Sequence, residues 1–230
     1  MMTLTELFKG QGPATVLFDL DGTLVDSAPD LSAAIDQMLR ALGRPPVGED
    51  RVREWVGNGA AVLVRRALAG DFDHEIDTVS DELTFRQALD LFFTAYADLN
   101  GQQAQVYDGV EIWLRALRAR GCRLGVVTNK PHAFTGPLLK MMGLDHWFEV
   151  SVSGDSLPLK KPDPSPLLHA MGKLGGTPET TLMVGDSVND IRAARNAGMP
   201  VVAVRYGYTY GTPVDELGAD IVVDSLAELL

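Results

Sequence analysis

Short apolar runs alternate with helical stretches along most of this chain, and that alternation restricts the fold more than any other feature. Ala14 to Asp19, Arg123 to Thr128, Phe148 to Ser153, Thr181 to Gly185, Pro200 to Val204 and Asp220 to Val223 read as strands. Val110 to Arg120, Pro131 to Met142, Pro164 to Leu174 and Val188 to Ala197 read as helices, the last stopped by Gly198 with Pro200 beyond it. Strands joined through helices run parallel and are covered on both faces, so the expected class is α/β with a Rossmann-like parallel sheet.

One region breaks the rule. From about Asp26 to about Gln103 there is no strand candidate. Leu31, Ile35, Leu39 and Leu42 follow helical spacing, and Phe85, Leu89, Phe92, Tyr96 and Leu99 form one apolar stripe on a long helix. A structureless loop of this length is implausible in a compact domain. The expectation is an all-helical insert over residues 26–103, with the core built from residues 1–25 and 104–230. Asn100-Gly101-Gln102-Gln103 reads as the polar linker back to the core.

Charge narrows the partners. Twenty basic residues stand against 31 acidic ones, a net charge of −11, which argues against general affinity for nucleic acid or an anionic membrane. An anionic ligand therefore needs a local device: a metal, backbone amides, or a few placed Lys and Arg. The single cysteine, Cys122, makes no intramolecular disulfide, and there is no Asn-x-Ser/Thr sequon. The first ten residues lack the pattern of a signal peptide, and no apolar run approaches the roughly 18 residues of a spanning helix. These features lead us to expect a cytoplasmic protein, as a monomer or a dimer.

The chemistry concentrates at predicted strand ends. Asp19 and Asp21 flank Leu20 just beyond the first strand, with Gly22 next, where open α/β sheets place their sites. Such residues also make ordinary turns. A calcium loop is excluded, because Gly22 follows Asp21 directly and Asp30, not Glu, holds the twelfth place. A second pair, Asp186 and Asp190, opens a helix after another strand. Capping and the helix dipole explain one of them, not both. Four Asp at one sheet edge repel unless a divalent cation sits among them, and hard oxygen ligands suit Mg²⁺. Thr128-Asn129 and Lys161, in the turn Lys160-Lys161-Pro162-Asp163-Pro164, could hold an anion.

In this order the motifs resemble the haloacid dehalogenase superfamily of aspartate-nucleophile phosphatases, across essentially the whole chain and with no departure at a motif position. Asp19-Leu20-Asp21-Gly22-Thr23-Leu24-Val25-Asp26-Ser27 is the most specific part, and the insert looks like the family's helical cap. Trp55 to Ala60, Val127 to Pro131 and Tyr206 to Gly211 are similar to the bacterial phosphoglycolate phosphatase group within it. The resemblance implies hydrolysis of a small phosphorylated metabolite, 2-phosphoglycolate first among them. It implies Asp19 as nucleophile, Asp21 as general acid and base, and Thr128, Asn129 and Lys161 on the phosphoryl oxygens. It further implies Mg²⁺ held by Asp19, the Asp21 carbonyl and Asp186, with Asp190 in support. The same motifs would serve a phosphosugar phosphatase or mutase. A receiver-type signalling module is the remote alternative.

In the insert, Gly57-Asn58-Gly59 reads either as a helix–helix turn or as a loop closing over substrate, with Arg66 in the following helix able to meet a carboxylate. Lys160 reads as solvated, Trp113 and Trp147 as core, and Tyr206, Tyr208 and Tyr210 as loop packing or rim. His74, His132, His146 and His169 lack metal-ligand spacing and read as surface or insert residues.

Overall fold

The computed structural model describes residues 3–71, 81–209 and 211–230, so His74 and Tyr210 lie outside the described residues. A one-turn helix α1 (Leu4–Leu7) precedes β1 (Thr15–Phe18) and a two-residue strand β2 (Val25–Asp26). Among the described residues four helices follow: α2 (Ala28–Ala41), α3 (Glu49–Trp55), α4 (Ala60–Ala69) and α5 (Glu82–Leu99). The chain returns through β3 (Gln105–Val106) to α6 (Val110–Ala119), β4 (Arg123–Val127), α7 (His132–Met141), β5 (Val150–Val152) and α8 (Ser165–Lys173). It ends with β6 (Thr181–Gly185), α9 (Val188–Asn196), β7 (Val201–Val204) and β8 (Ile221–Val223).

The main sheet has the order β5-β4-β1-β6-β7-β8 and is parallel throughout. Val16, Leu17 and Phe18 of β1 are fully buried, as a central strand covered on both faces requires. On one face Phe18 meets the edge of Trp113 at 5.5 Å and of Phe148 at 5.9 Å. Leu17 faces the other way, toward Leu167, Leu174 and Ile191. Thr15 lies beside Arg123 on one flank and Thr181 on the other, so the strand order reverses at β1. Open sheets of this kind form their crevice at the carboxyl end of such a strand. Asp19 stands there.

The helical stretch has its own apolar cluster, in which Leu31, Ile35 and Leu39 of α2 pack with Trp55, Val64, Phe92 and Tyr96. Asp81 caps α5, accepting from the Thr84 amide at 2.8 Å. Two features depart from the sequence reading. β2 and β3 pair antiparallel, Val25 with Val106 and Asp26 with Gln105, where no strand is expected. Nor is Asn100-Gly101-Gln102-Gln103 a free linker. Buried Asp30 accepts from the amides of Gly101 (2.7 Å) and Gln103 (2.8 Å), and Asn100 Nδ2 donates to the Phe134 carbonyl at 2.9 Å. An unpaired carboxylate at that depth would be costly, so these amides fix the return path. Among the described residues no helix is long and apolar enough to cross a membrane.

Candidate active site

The turn after β1 is shaped by Gly22, whose φ of +86° disfavours other residues and where a Cβ would run into the Asp186 carboxylate. Asp19 Oδ1 accepts from the Leu20 amide at 2.7 Å and lies 2.9 Å from Lys161 Nζ. Asp21 accepts at Oδ1 from Ser27 Oγ at 2.6 Å, and Lys130 Nζ lies 3.0 Å from the same oxygen.

Asp186 and Asp190 arrive from the junction of β6 and α9. Thr23 Oγ1 donates to Asp186 Oδ1 at 2.7 Å, and the Tyr208 amide donates to Oδ2 at 2.6 Å. Both oxygens of Asp190 are engaged. Oδ1 accepts from Lys161 Nζ at 2.7 Å, and Oδ2 from the Ser187 amide (3.0 Å) and hydroxyl (2.7 Å) in a capping box.

Carboxylate oxygens of Asp19, Asp186 and Asp190 lie within 4.8 Å of one another, all buried, and Lys161 is the ammonium that bridges two of them. Burial, opposed by Lys161 and reinforced by Asp190 and Asp21, pushes the Asp19 carboxyl up to about 7. Burial, with Asp190 and Asp19 adding to it, raises Asp186 well above the carboxylate range. Burial works against the Lys161 charge, but Asp19 and Asp190 outweigh it and hold the ammonium above its ordinary value. A buried acidic cluster this crowded fits a hard divalent cation. Asp19, Asp186 and Asp190 are the carboxylates placed to hold it, Asp190 being shared with Lys161 and Ser187 and Asp186 with Thr23 and the Tyr208 amide.

The anion-holding candidates converge on the same place. Thr128 follows β4, and its hydroxyl accepts from the Lys130 amide at 3.2 Å. Asn129 is buried, with Nδ2 donating to the carbonyls of Gly57 (2.9 Å) and Lys161 (3.0 Å). It therefore ties the Gly57-Asn58-Gly59 loop to the sheet edge.

That loop is held elsewhere too. Lys160 is not solvated: it is half-buried and its Nζ donates to the Asn58 carbonyl at 2.6 Å. Gly59 has φ +89°, and a Cβ there would sit 3.1 Å from Lys160 Nζ and 3.2 Å from the Asn129 carbonyl. Arg66 is buried, and its Nη1 donates to the Trp55 carbonyl (2.8 Å) and to Asn58 Oδ1 (3.1 Å). It props the loop from behind and does not line the cavity beneath it.

That cavity, about 460 Å³ including its mouth, has Asp19, Asp21, Thr128 and Asn129 at one end. Leu31, Val56, Leu63, Phe92 and Phe134 form an apolar wall, with Tyr96 and Lys130 where the two meet.

Tyr206 and Tyr208 pack as the sequence suggests, but several of the contacts here are not legible in it. Tyr208 is buried. Beyond holding Asp186 by its amide, its hydroxyl donates to Asp26 Oδ1 at 2.7 Å and accepts from the amides of Ser27 and Ala28, each at 3.0 Å. Arg53 grips Asp26 from the other side through two bonds of 3.0 and 2.8 Å. Tyr206 donates to the Thr23 carbonyl at 2.8 Å and packs on Tyr107. Lys130 follows Asn129 directly, the one signal that could have marked it. Trp113 is core, Trp147 is only partly buried, and His132, His146 and His169 are exposed.

The phosphoglycolate phosphatase of Pseudomonas putida is 50% identical to this chain over 230 residues, covering all of the chain and 83% of that protein. That of Nitrosococcus oceani is 44% identical over 217 residues, covering 94% of the chain and 95% of its own length. A crystal structure of a predicted phosphoglycolate phosphatase from Haemophilus somnus superposes with a TM-score of 0.87 at 39% identity, over 94% of this chain and 96% of that one. The model of haloacid dehalogenase-like hydrolases matches residues 13–198, the stretch that carries every carboxylate and lysine of the site, and the chain belongs to that family.

Proposed function

We propose that this protein is a Mg²⁺-dependent phosphomonoesterase that hydrolyses 2-phosphoglycolate to glycolate and phosphate. The observation that carries the reading is the pairing of Asp19 and Asp21 at the end of β1, with Lys161 against Asp19, beneath a small and mostly apolar cavity. Half of all positions are shared with a phosphoglycolate phosphatase, which supports the substrate. The lone, buried Cys122 suits a cytoplasmic setting.

In this reading Asp19 attacks phosphorus, the ester P–O bond breaks, and an aspartyl-phosphate forms on Asp19. Asp21 gives its proton to the departing glycolate oxygen. It then takes one from the water that attacks the aspartyl-phosphate, releasing phosphate and restoring Asp19. Lys161 and Thr128 meet the phosphoryl oxygens as charge redistributes, and Asn129 joins them by exchanging the Gly57 carbonyl for a phosphoryl oxygen. Mg²⁺, which Asp19, the Asp21 carbonyl and Asp186 would hold, would offset the charge of the incoming phosphoryl group. Asp190 positions Lys161.

Residues 26–103 act here as a cap domain on a core of residues 1–25 and 104–230, with Gly57-Asn58-Gly59 closing the mouth. The apolar wall disfavours a phosphosugar, whose buried hydroxyls would go unpaired. Phosphate release measured across 2-phosphoglycolate, sugar phosphates and nucleotides tests the assignment. A sugar phosphate turned over at higher kcat/KM than 2-phosphoglycolate would overturn it.

The cap loop yields a separate expectation. Gly59→Val forces a β-branched residue into a left-handed backbone and against Lys160 and Asn129, a strain of about 1–3 kcal/mol. The expected result is a fall of roughly tenfold or more in kcat/KM for 2-phosphoglycolate, with much less change for an aryl phosphate. Proportional losses on both would assign the loop to the shared site instead.

A further inference from the structure

Lys130 is the residue of this site that phosphoryl transfer itself does not use. It is buried, and its Nζ donates to Asp21 Oδ1 at 3.0 Å and to the Tyr96 hydroxyl at 2.6 Å, with the Tyr96 ring 4.8 Å away. One of these partners follows the nucleophile strand and the other lies on α5, so Lys130 sits at the seam between the reacting end and the apolar wall. Burial works against its charge, but Asp21 and the Tyr96 hydroxyl outweigh it and hold the ammonium above its ordinary value. Among the described residues that line the cavity, Lys130 is the one positively charged side chain.

A leaving group that takes its proton from Asp21 must place its oxygen within hydrogen-bond reach of that carboxyl. In an ester of glycolate, the carboxylate carbon is two bonds from the same oxygen. It therefore falls beside whatever neighbours Asp21. The side chains of the wall, Leu31, Val56, Leu63, Phe92 and Phe134, offer it no partner, and a charge left against them would be prohibitive. An ammonium has three hydrogens, and the Asp21 carboxylate (Oδ1 at 3.0 Å, with Oδ2 at 3.3 Å on the same side) and Tyr96 account for two directions. The third is available to the substrate.

We propose that Lys130 is the specificity-determining residue for the leaving group: its ammonium pairs with the carboxylate of a short α-hydroxy acid phosphate, while Asp21 and the Tyr96 hydroxyl hold it in place. This rests on the phosphomonoesterase reading above and adds to it the group that selects an acidic leaving group over a neutral one. The placement also limits leaving-group length, since a longer acid would carry its carboxylate past Lys130 into the apolar wall.

The test uses this protein with Mg²⁺ and two substrates of similar size, 2-phosphoglycolate and 2-hydroxyethyl phosphate, in which a neutral hydroxymethyl group replaces the carboxylate. In the Lys130→Met variant both rates fall, because Asp21 loses a neighbour. The ratio of kcat/KM for the acid to that for the neutral ester falls by a further 10- to 100-fold, roughly the worth of a hydrogen bond to a charged group. Lys130→Arg keeps the charge and retains part of the preference. Should Lys130→Met not fold, Lys130→Gln, which keeps a donor for Asp21 and Tyr96 without the charge, reads the same ratio. Equal losses on both substrates overturn the proposal and leave Lys130 as a support for Asp21 alone. A wild-type enzyme that turns over 2-phosphoglycolate no better than the neutral ester overturns the substrate assignment itself, which is a separate failure.

Discussion

Asp19→Asn should eliminate turnover while the protein remains folded, a loss of at least about 10⁴-fold in kcat. The amide oxygen of Asn is a poor nucleophile toward phosphorus, so no phosphoenzyme forms and only binding and charge stabilisation survive. The fold should tolerate the change for a reason visible in the site. Burial already disfavours the ionised Asp19, whose carboxyl sits up at about 7, so a neutral side chain of the same shape removes a strained charge. The Asn oxygen still accepts from Leu20, and Lys161 keeps its 2.7 Å bond to Asp190. Circular dichroism and a thermal melt check the fold, and a phosphate-release assay checks the rate. Substantial release from a folded Asp19→Asn protein would remove Asp19 from the role of nucleophile.

Chelation should have the second large effect. Excess EDTA is expected to bring phosphate release to background, and Mg²⁺ to restore it, because the phosphoryl dianion otherwise meets Asp19 and Asp186 with one ammonium, Lys161, shared between Asp19 and Asp190. The same carboxylates give a readout independent of activity. Both ionise less readily folded than in the unfolded chain, where an Asp titrates near 4. Their ionisation therefore costs stability as pH rises from about 4 through 7, and the cost from Asp19 is complete above about 7. A cation that binds the ionised pair offsets that cost and displaces their protons. The rise in Tm on adding Mg²⁺ should accordingly be larger at pH 8 than at pH 5.5. A shift independent of pH, or larger in acid, would place the cation elsewhere.

The parallel strands were readable because a strand buried on both faces is a plain apolar run. The polar residue that ends each run marks the sheet edge where chemistry gathers. Phe85, Phe92 and Tyr96 revealed α5 by spacing alone. The ribbon of Val25–Asp26 with Gln105–Val106 was not readable, since two residues a side carry no period. Lys160 looked like solvated surface because nothing local to it announces Asn58, which meets it only after folding. The contacts of Tyr208 and Lys130 are hidden for the same reason, their partners Asp186, Asp26, Asp21 and Tyr96 lying far off along the chain. Arg66 suggested a ligand for substrate because charge is visible in sequence, whereas its burial against Trp55 and Asn58 is a property of packing.

The position of β1 also bears on how the molecule assembles. Its partners are β4 and β6, with Thr15 paired to Arg123 and Thr181, so the central strand leaves the ribosome well before either neighbour. Closing such long loops delays parallel pairing, whereas α2 and α5, which pack on one another, are both complete before β4 is made. Nascent chains should therefore collapse around α2 and α5 while Val16, Leu17 and Phe18 still lack neighbours. Until translation passes Val127 that apolar strand has two open edges, and until it passes Gly185 it still has one, and this is the interval in which the chain is most exposed to aggregation.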